Sequence, residues 1–190
     1  MIANVAPVRG IPGRSLDGSR CRHCNETETL TLVLGYCAHG ALMRHSRHNV
    51  IRKMIADAAQ QKKYKVEEEM TCIAQGGSIR RLDILIIDKR TQKAWMIDPT
   101  IRFETCKDQG AKVQQEKDAC IPHLKLQYNL KDIEIIGVLI GSRGTIFKEF
   151  ESFRNKFDFS LELRHNIILH TINSSICLLK SHLYFPGLSL

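Results

Sequence analysis

Asp83, Asp98 and Lys117 are the residues of this 190-residue chain whose types and spacing could do chemistry together. Asp83 opens the first apolar run of RRLDILIIDKRTQKAWMIDPT (80–100) and Asp98 closes the second, with a polar turn between them. A symmetrical hairpin centred between Arg90 and Thr91 sets residues whose numbers sum to 181 opposite one another, and Asp83 and Asp98 are such a pair. That register makes them direct cross-strand neighbours on one face, with Cβ atoms roughly 4.5–5.5 Å apart. Two carboxylates so close repel unless one takes up a proton or a cation sits between them. A hard divalent ion, Mg²⁺ or Mn²⁺, held through one or two carboxylates and otherwise wet, meets that need. The plain alternative is that each aspartate ends its strand and points to water, the usual place for a lone acid. Two acids at matching register weigh toward a site.

Lys117 lies on an apolar helical stripe with Val113, Cys120, Leu124 and Tyr128. A lysine there can simply pack its stem and send its ammonium to solvent. Beside two acids, it is also the group that phosphodiester hydrolysis uses to orient water or steady charge on phosphate. Glu104 and Glu116 are weaker candidates for a further ligand, because ordinary exposure explains both.

Charge and composition bound the partners. Hydrophobic residues make up 43% and charged residues 25%, enough for a real core. The net charge of +8 and pI near 9.2 favour an anionic partner, most often nucleic acid. No apolar run reaches the roughly 18 residues of a membrane span, and the N-terminus lacks the apolar core of a signal peptide. A soluble, intracellular protein is expected. Its seven cysteines are then expected to be reduced. Cys21, Cys24 and Cys37 crowd into one short segment, which leaves metal binding and plain burial both open.

These residues need elements to position them. Residues 1–20 read as a basic linker, 21–40 as a cysteine knuckle-like segment, and 41–185 as the main domain. A helix follows Gly40 with Met43, Val50, Met54 and Ala58 on its apolar face and Arg44, His48 and Arg52 on another. KVEEEMTCI (65–73) reads as a strand, Gly76-Gly77 as a turn, and the hairpin comes next. Pro99 is expected to stop the second hairpin strand. Asp108 can cap a helix running to about Cys120, with Pro122 kinking or ending it. KDIEIIGVLIG (131–141) reads as a buried strand, and helices are expected at about 146–157 and 160–183. The order predicts an α/β fold, a mixed central sheet flanked by helices, with extra helices at the C-terminal end.

The D-x14-D hairpin followed by a helix lysine resembles the PD-(D/E)xK nuclease superfamily. Thr100 stands where the superfamily usually has its lysine. A lysine displaced to the next helix resembles the restriction-like endonuclease of site-specific non-LTR retrotransposons. CRHCNETETLTLVLGYC (21–37) is similar to the cysteine–histidine knuckle of that family, RHSRHNVIRK (44–53) to its basic helix start, and GVLIGSRGT (137–145) to its late strand and glycine turn. The resemblance implies a restriction-endonuclease-like αβββαβ core over 41–185, with Asp83 and Asp98 binding Mg²⁺ and Lys117 catalytic. Tyr128 falls where a tyrosine often follows that lysine. Leu82 replaces the usual proline before the first acid, which supplies no ligand.

The knuckle departs further. Cys21, Cys24 and Cys37 match, but Leu32 occupies the histidine position and cannot ligate Zn²⁺. His39 or His23 are the expected substitutes, both off the family spacing. The function implied is a DNA nick that primes reverse transcription, with the element's RNA as a second partner and the nucleus as its place. Arg44, Arg47, Arg52, Arg80, Arg81 and the Lys89-Arg90 pair would contact phosphates. In the family the domain lies downstream of a reverse transcriptase, so this chain is expected to be a detached or truncated copy. The competing expectations are a DNA-binding module without catalysis and a product that folds poorly without its polyprotein.

Overall fold

The computed structural model describes residues 8–10, 18–74, 76–103 and 118–184. A short helix, α1 (Leu30–Gly35), is capped by the Thr29 hydroxyl, which accepts from the Leu32 N–H at 3.1 Å. A 3-10 turn (Ala38–Gly40) leads into the long α2 (Ala41–Gln61). Strands β1 (Lys65–Ile73), β2 (Ile79–Asp88) and β3 (Lys93–Arg102) follow, then α3 (Ile121–Tyr128) and β4 (Asp132–Gly141). Two further helices, α4 (Lys148–Lys156) and α5 (Leu161–Tyr184), complete the described chain.

The sheet is mixed, in the order β1-β2-β3-β4, with β4 parallel to β3 and the other pairs antiparallel. A parallel strand needs a crossover, and α3 lies within the connection between β3 and β4. From α2 to β4 the elements therefore run αβββαβ, as expected. Each face of the sheet carries its own core. On one, Ile84, Ile86, Ile97, Val138 and Ile140 meet Ile51 and Ile55 of α2 and a run of phenylalanines, Phe150, Phe153, Phe157 and Phe159. On the other, Leu85, Ile87 and Met96 meet Cys120 and Leu124. Alternating side chains along β2 thus feed two layers, which is why the LDILII run (82–87) is apolar at nearly every position.

Several expectations need correction. The face of α2 that is buried is Ile51, Ile55, Ala56 and Ala59, with Arg47 in line, while Val50 is exposed. Pro99 does not end β3, which continues to Arg102. The ladder between β2 and β3 stops at Ile84 and Ile97, and beyond it β3 pairs with β4. Pro99 therefore sits where no ladder partner on the β2 side asks for its missing N–H. Pro122 begins a helix instead of ending one, occupying the first turn of α3, where a missing N–H costs nothing. The helix expected from Asp108 lies mostly outside the described residues. Finally, Cys72 of β1 and Cys120, just before α3, form a disulfide (S–S 2.19 Å) inside the second core, where reduced thiols were expected.

Candidate functional site

The hairpin register is the one anticipated. Pairs run from Asp88↔Lys93 to Ile84↔Ile97, each summing to 181. Asp83 and Asp98 occupy the next level, one step beyond the last ladder pair, at the fork where β2 and β3 part. Both are half-buried.

Something unusual happens at that level of β2. Leu82 belongs to the second core and Ile84 to the first, although residues two apart on a strand ordinarily share a face. In β1, Glu68 pairs with Ile84 and Met70 with Leu82, so Glu69 is level with Asp83, and Glu69 has a left-handed φ of 51°. The two strands change face together here. The result turns Asp83 toward α2, where its Oδ1 lies 3.5 Å from His48 Nε2.

Charged groups gather around the fork. Arg52 of α2 pairs with Glu68 (3.6 Å) and with Glu69, and Arg81 pairs with Glu69 at 2.5 Å. The hydrogen bond from Arg52 holds the Glu69 carboxyl below its ordinary range. His48, Glu68 and Glu69 were not singled out as site residues. The four-residue spacing of Arg44, His48 and Arg52 is the available signal, but it marks only a cationic face, whose expected partner is phosphate and not the acids of β1 and β2.

The expected phosphate contacts divide accordingly. Arg80 and Arg81 are exposed on β2. Arg52 is already committed to two glutamates, and Arg44 donates to the Cys37 carbonyl at 2.8 Å. Arg47 is corrected outright. It is 3% exposed, donates from Nη1 to Ser175 Oγ at 2.7 Å, and has no surface to offer a phosphate. Burial brings its pKa down to about 10. At the other end of the hairpin, Lys62, Lys63, Lys65, Lys89 and Arg90 surround Tyr64 and Asp88 in an open cleft of about 550 Å³. Five strand levels separate Asp88 from Asp83, or roughly 17 Å.

Tyr128 belongs to that far end. Its ring lies 4.8 Å from Lys65 Nζ, and Lys65 pairs with Ile87. Four levels separate Lys65 from the Glu69–Asp83 level, about 13 Å of strand, so Tyr128 is not brought beside the aspartates. Lys117, Glu104 and Glu116 lie outside the described residues.

A second cluster joins the knuckle segment to α5. Cys21 Sγ lies 3.9 Å from Cys37 Sγ and 3.7 Å from His182 Nε2, and Leu32 and Cys24 pack around them. Glu28 is fully buried beside them. It accepts from the backbone N–H groups of Arg9 and Arg22, from the Arg22 guanidinium, and from His182 Nε2 at 3.1 Å. Burial alone would raise its pKa, but these donors bring it down to about 2. Burial pushes the Cys21 thiol up to about 12 and the His182 imidazole down. His39, an expected ligand, instead places Nε2 3.2 Å from Ser181 Oγ, and His23 places Nε2 2.8 Å from the His182 carbonyl.

No protein-family model matches the chain. Over 179 residues it is 25% identical to the retrovirus-related Pol polyprotein from type-1 retrotransposable element R2 of Popillia japonica. The match takes in 91% of this chain and 36% of that polyprotein, so the chain spans about a third of the relative's length. The likeness supports a retrotransposon-related origin for the chain. No helix among the described residues is long and apolar enough to cross a membrane.

Proposed function

We propose that the chain is a metal-dependent DNA endonuclease domain that nicks its target, the nick serving to prime reverse transcription. The observation that carries this reading is the position of Asp83 and Asp98 at one level of the hairpin, where the β2–β3 ladder ends. A ladder that stops leaves room between strands, and two acids at one level of such a fork would suit a hard cation that keeps most of its waters. The αβββαβ order and the likeness to an R2 polyprotein point the same way.

In this reading Asp83 and Asp98 hold Mg²⁺ or Mn²⁺. The ion supplies a Lewis acid for the phosphoryl oxygen and a water acidic enough to attack at neutral pH. His48 fixes the Asp83 carboxylate from α2, and Lys117 steadies charge on the phosphate. Arg80, Arg81 and the cationic cleft at Lys62, Lys63, Lys89 and Arg90 take backbone phosphates, which positions a duplex without reading its sequence. The roughly 17 Å between cleft and fork equals the rise of about five phosphates along one strand.

The test is nicking of supercoiled plasmid by the full chain with Mg²⁺, with Mn²⁺ and with chelator, alongside DNA affinity at fixed salt. Asp98→Ala should slow nicking at least ~100-fold, a typical loss when a charge-stabilising group is removed. Its DNA affinity should hold or rise, because one negative charge near the phosphates is gone. Wild-type nicking rates in Asp98→Ala would overturn the assignment of the metal to this fork. Salt-sensitive binding with no nicking by the wild type would leave the chain a DNA-binding module.

A further inference from the structure

The cysteine segment at 21–37 holds three thiols and, among local residues, no histidine in place to complete a metal set. Leu32 is buried against Cys21 and Cys37 and fills space there. The ring that reaches the thiols comes from the last turn of α5. We propose that His182 is the fourth ligand of a structural zinc site with Cys21, Cys24 and Cys37, so that the metal ties the start of the domain to its final helix.

Distances carry the argument. Zn–S bonds of about 2.3 Å and Zn–N bonds of about 2.0–2.1 Å, set tetrahedrally, require S···S edges of about 3.8 Å and S···N edges of about 3.6 Å. The fold sets Cys21 Sγ 3.9 Å from Cys37 Sγ and 3.7 Å from His182 Nε2. The ligand atoms of Cys21, Cys37 and His182 all lie within 4.8 Å of one another, the one such buried group of histidines, cysteines and acids among the described residues. Cys24 packs against the same cluster from outside that group and would close in to supply the last corner.

The surroundings fit a closed structural site. Cys37 and His182 are 1% exposed and Cys21 is 7% exposed, which leaves no open position for a substrate. His23 and His39 stack at 3.8 Å and anchor to the backbone of His182 and the side chain of Ser181, so they brace α5 and fix the angle at which His182 enters. Glu28, held by Arg22 and the Arg9 N–H, meets the same Nε2, a hydrogen bond that zinc would replace while Arg22 and the backbone N–H groups keep the carboxylate satisfied. On binding, the thiol protons pass to solvent and the single ring proton of His182 moves from Nε2 to Nδ1, leaving thiolates and a neutral ring.

This site is independent of the nuclease reading, and its test does not use nicking. The full chain is purified in Zn²⁺, desalted, and measured for metal content and for the X-ray absorption fine structure of the zinc. The expected result is about one zinc per chain with three sulfurs and one nitrogen. Chelation should lower the melting temperature by more than about 10 °C, since metal binding adds directly to folding. His39→Gln and His23→Gln should keep the metal. His182→Cys should keep it too and change the shell to four sulfurs, a readout that survives even if His182→Gln fails to fold. An unchanged shell in His182→Cys would overturn the proposal. So would loss of zinc in His39→Gln with retention in His182→Gln, or a wild type that binds none and relies on the Glu28–His182 hydrogen bond alone.

Discussion

Arg47 shows how a single residue can carry the opposite meaning to its type. In a basic helix start it reads as a phosphate contact, yet its guanidinium bridges α2 to α5 by bonding Ser175, whose hydroxyl in turn donates to the Ser142 carbonyl at 2.5 Å. Nothing in residue identity distinguishes an arginine that faces DNA from one that staples helices; only the position of its partner does, and Ser175 is 128 residues away. Truncation leaves a hole and removes a donor from a buried hydroxyl. Arg47→Ala should therefore cost about 2–4 kcal/mol in urea unfolding. Arg47→Met, which refills the volume, should cost much less, because a buried charge already carries a desolvation penalty. DNA affinity measured on folded Arg47→Met should equal that of the wild type, while Arg81→Ala should weaken binding.

At the scale of elements, what was legible depended on how local the cause was. The strand at 65–73 and the 131–141 run were readable because β-branched residues between turn signals need no distant partner. The hairpin register was readable for the same reason, since a short turn dictates its own pairing. Helix faces were harder. The buried stripe of α5 runs Leu163, Ile167, Thr171, Ser175, Leu178 and His182, half of it polar. Hydrophobic periodicity cannot register a polar group whose burial is made acceptable by a hydrogen bond from elsewhere. The turn after β4 is a case where local and distant causes agree. Gly144 has φ 85°, and a Cβ there would come within 2.8 Å of Ile172 Cγ1 on α5. Gly144→Ala should lose at least about 1–2 kcal/mol, from left-handed strain before any clash is counted. Thermal unfolding measures it; an unchanged melting temperature would mean the turn re-forms differently.

For the molecule as a whole, two long-range ties are absent from any local pattern: Cys72–Cys120 and the meeting of Cys21 with His182. The aspartate pair could be seen from spacing, but the glutamates, His48 and Arg52 that surround it come together only when α2 lies across the sheet. The disulfide joins β1 to the entry of α3 across 48 residues. By the chain-entropy relation, closing a loop of that size restricts the unfolded state by about 4 kcal/mol, an upper figure for what reduction would cost. Non-reducing digestion followed by mass spectrometry should recover a linked peptide containing both cysteines. Denaturation with and without reductant should then differ, and no difference would mean the bond adds nothing to the folded state.

The contact between the knuckle and the last turn of α5 has a topological consequence. With Cys21 Sγ and His182 Nε2 only 3.7 Å apart, the path of the chain leaves from and returns to nearly the same point, so the fold is a closed loop in space. Such a unit can be spliced into a longer polypeptide without displacing what lies on either side, as one plugs a cartridge between two leads. It can equally be cut open elsewhere. A circular permutant in which a flexible linker joins the segment after His182 to the segment before Cys21, with new ends between Lys89 and Gln92, should fold to the same sheet order, because Cys21 and His182 already lie in contact.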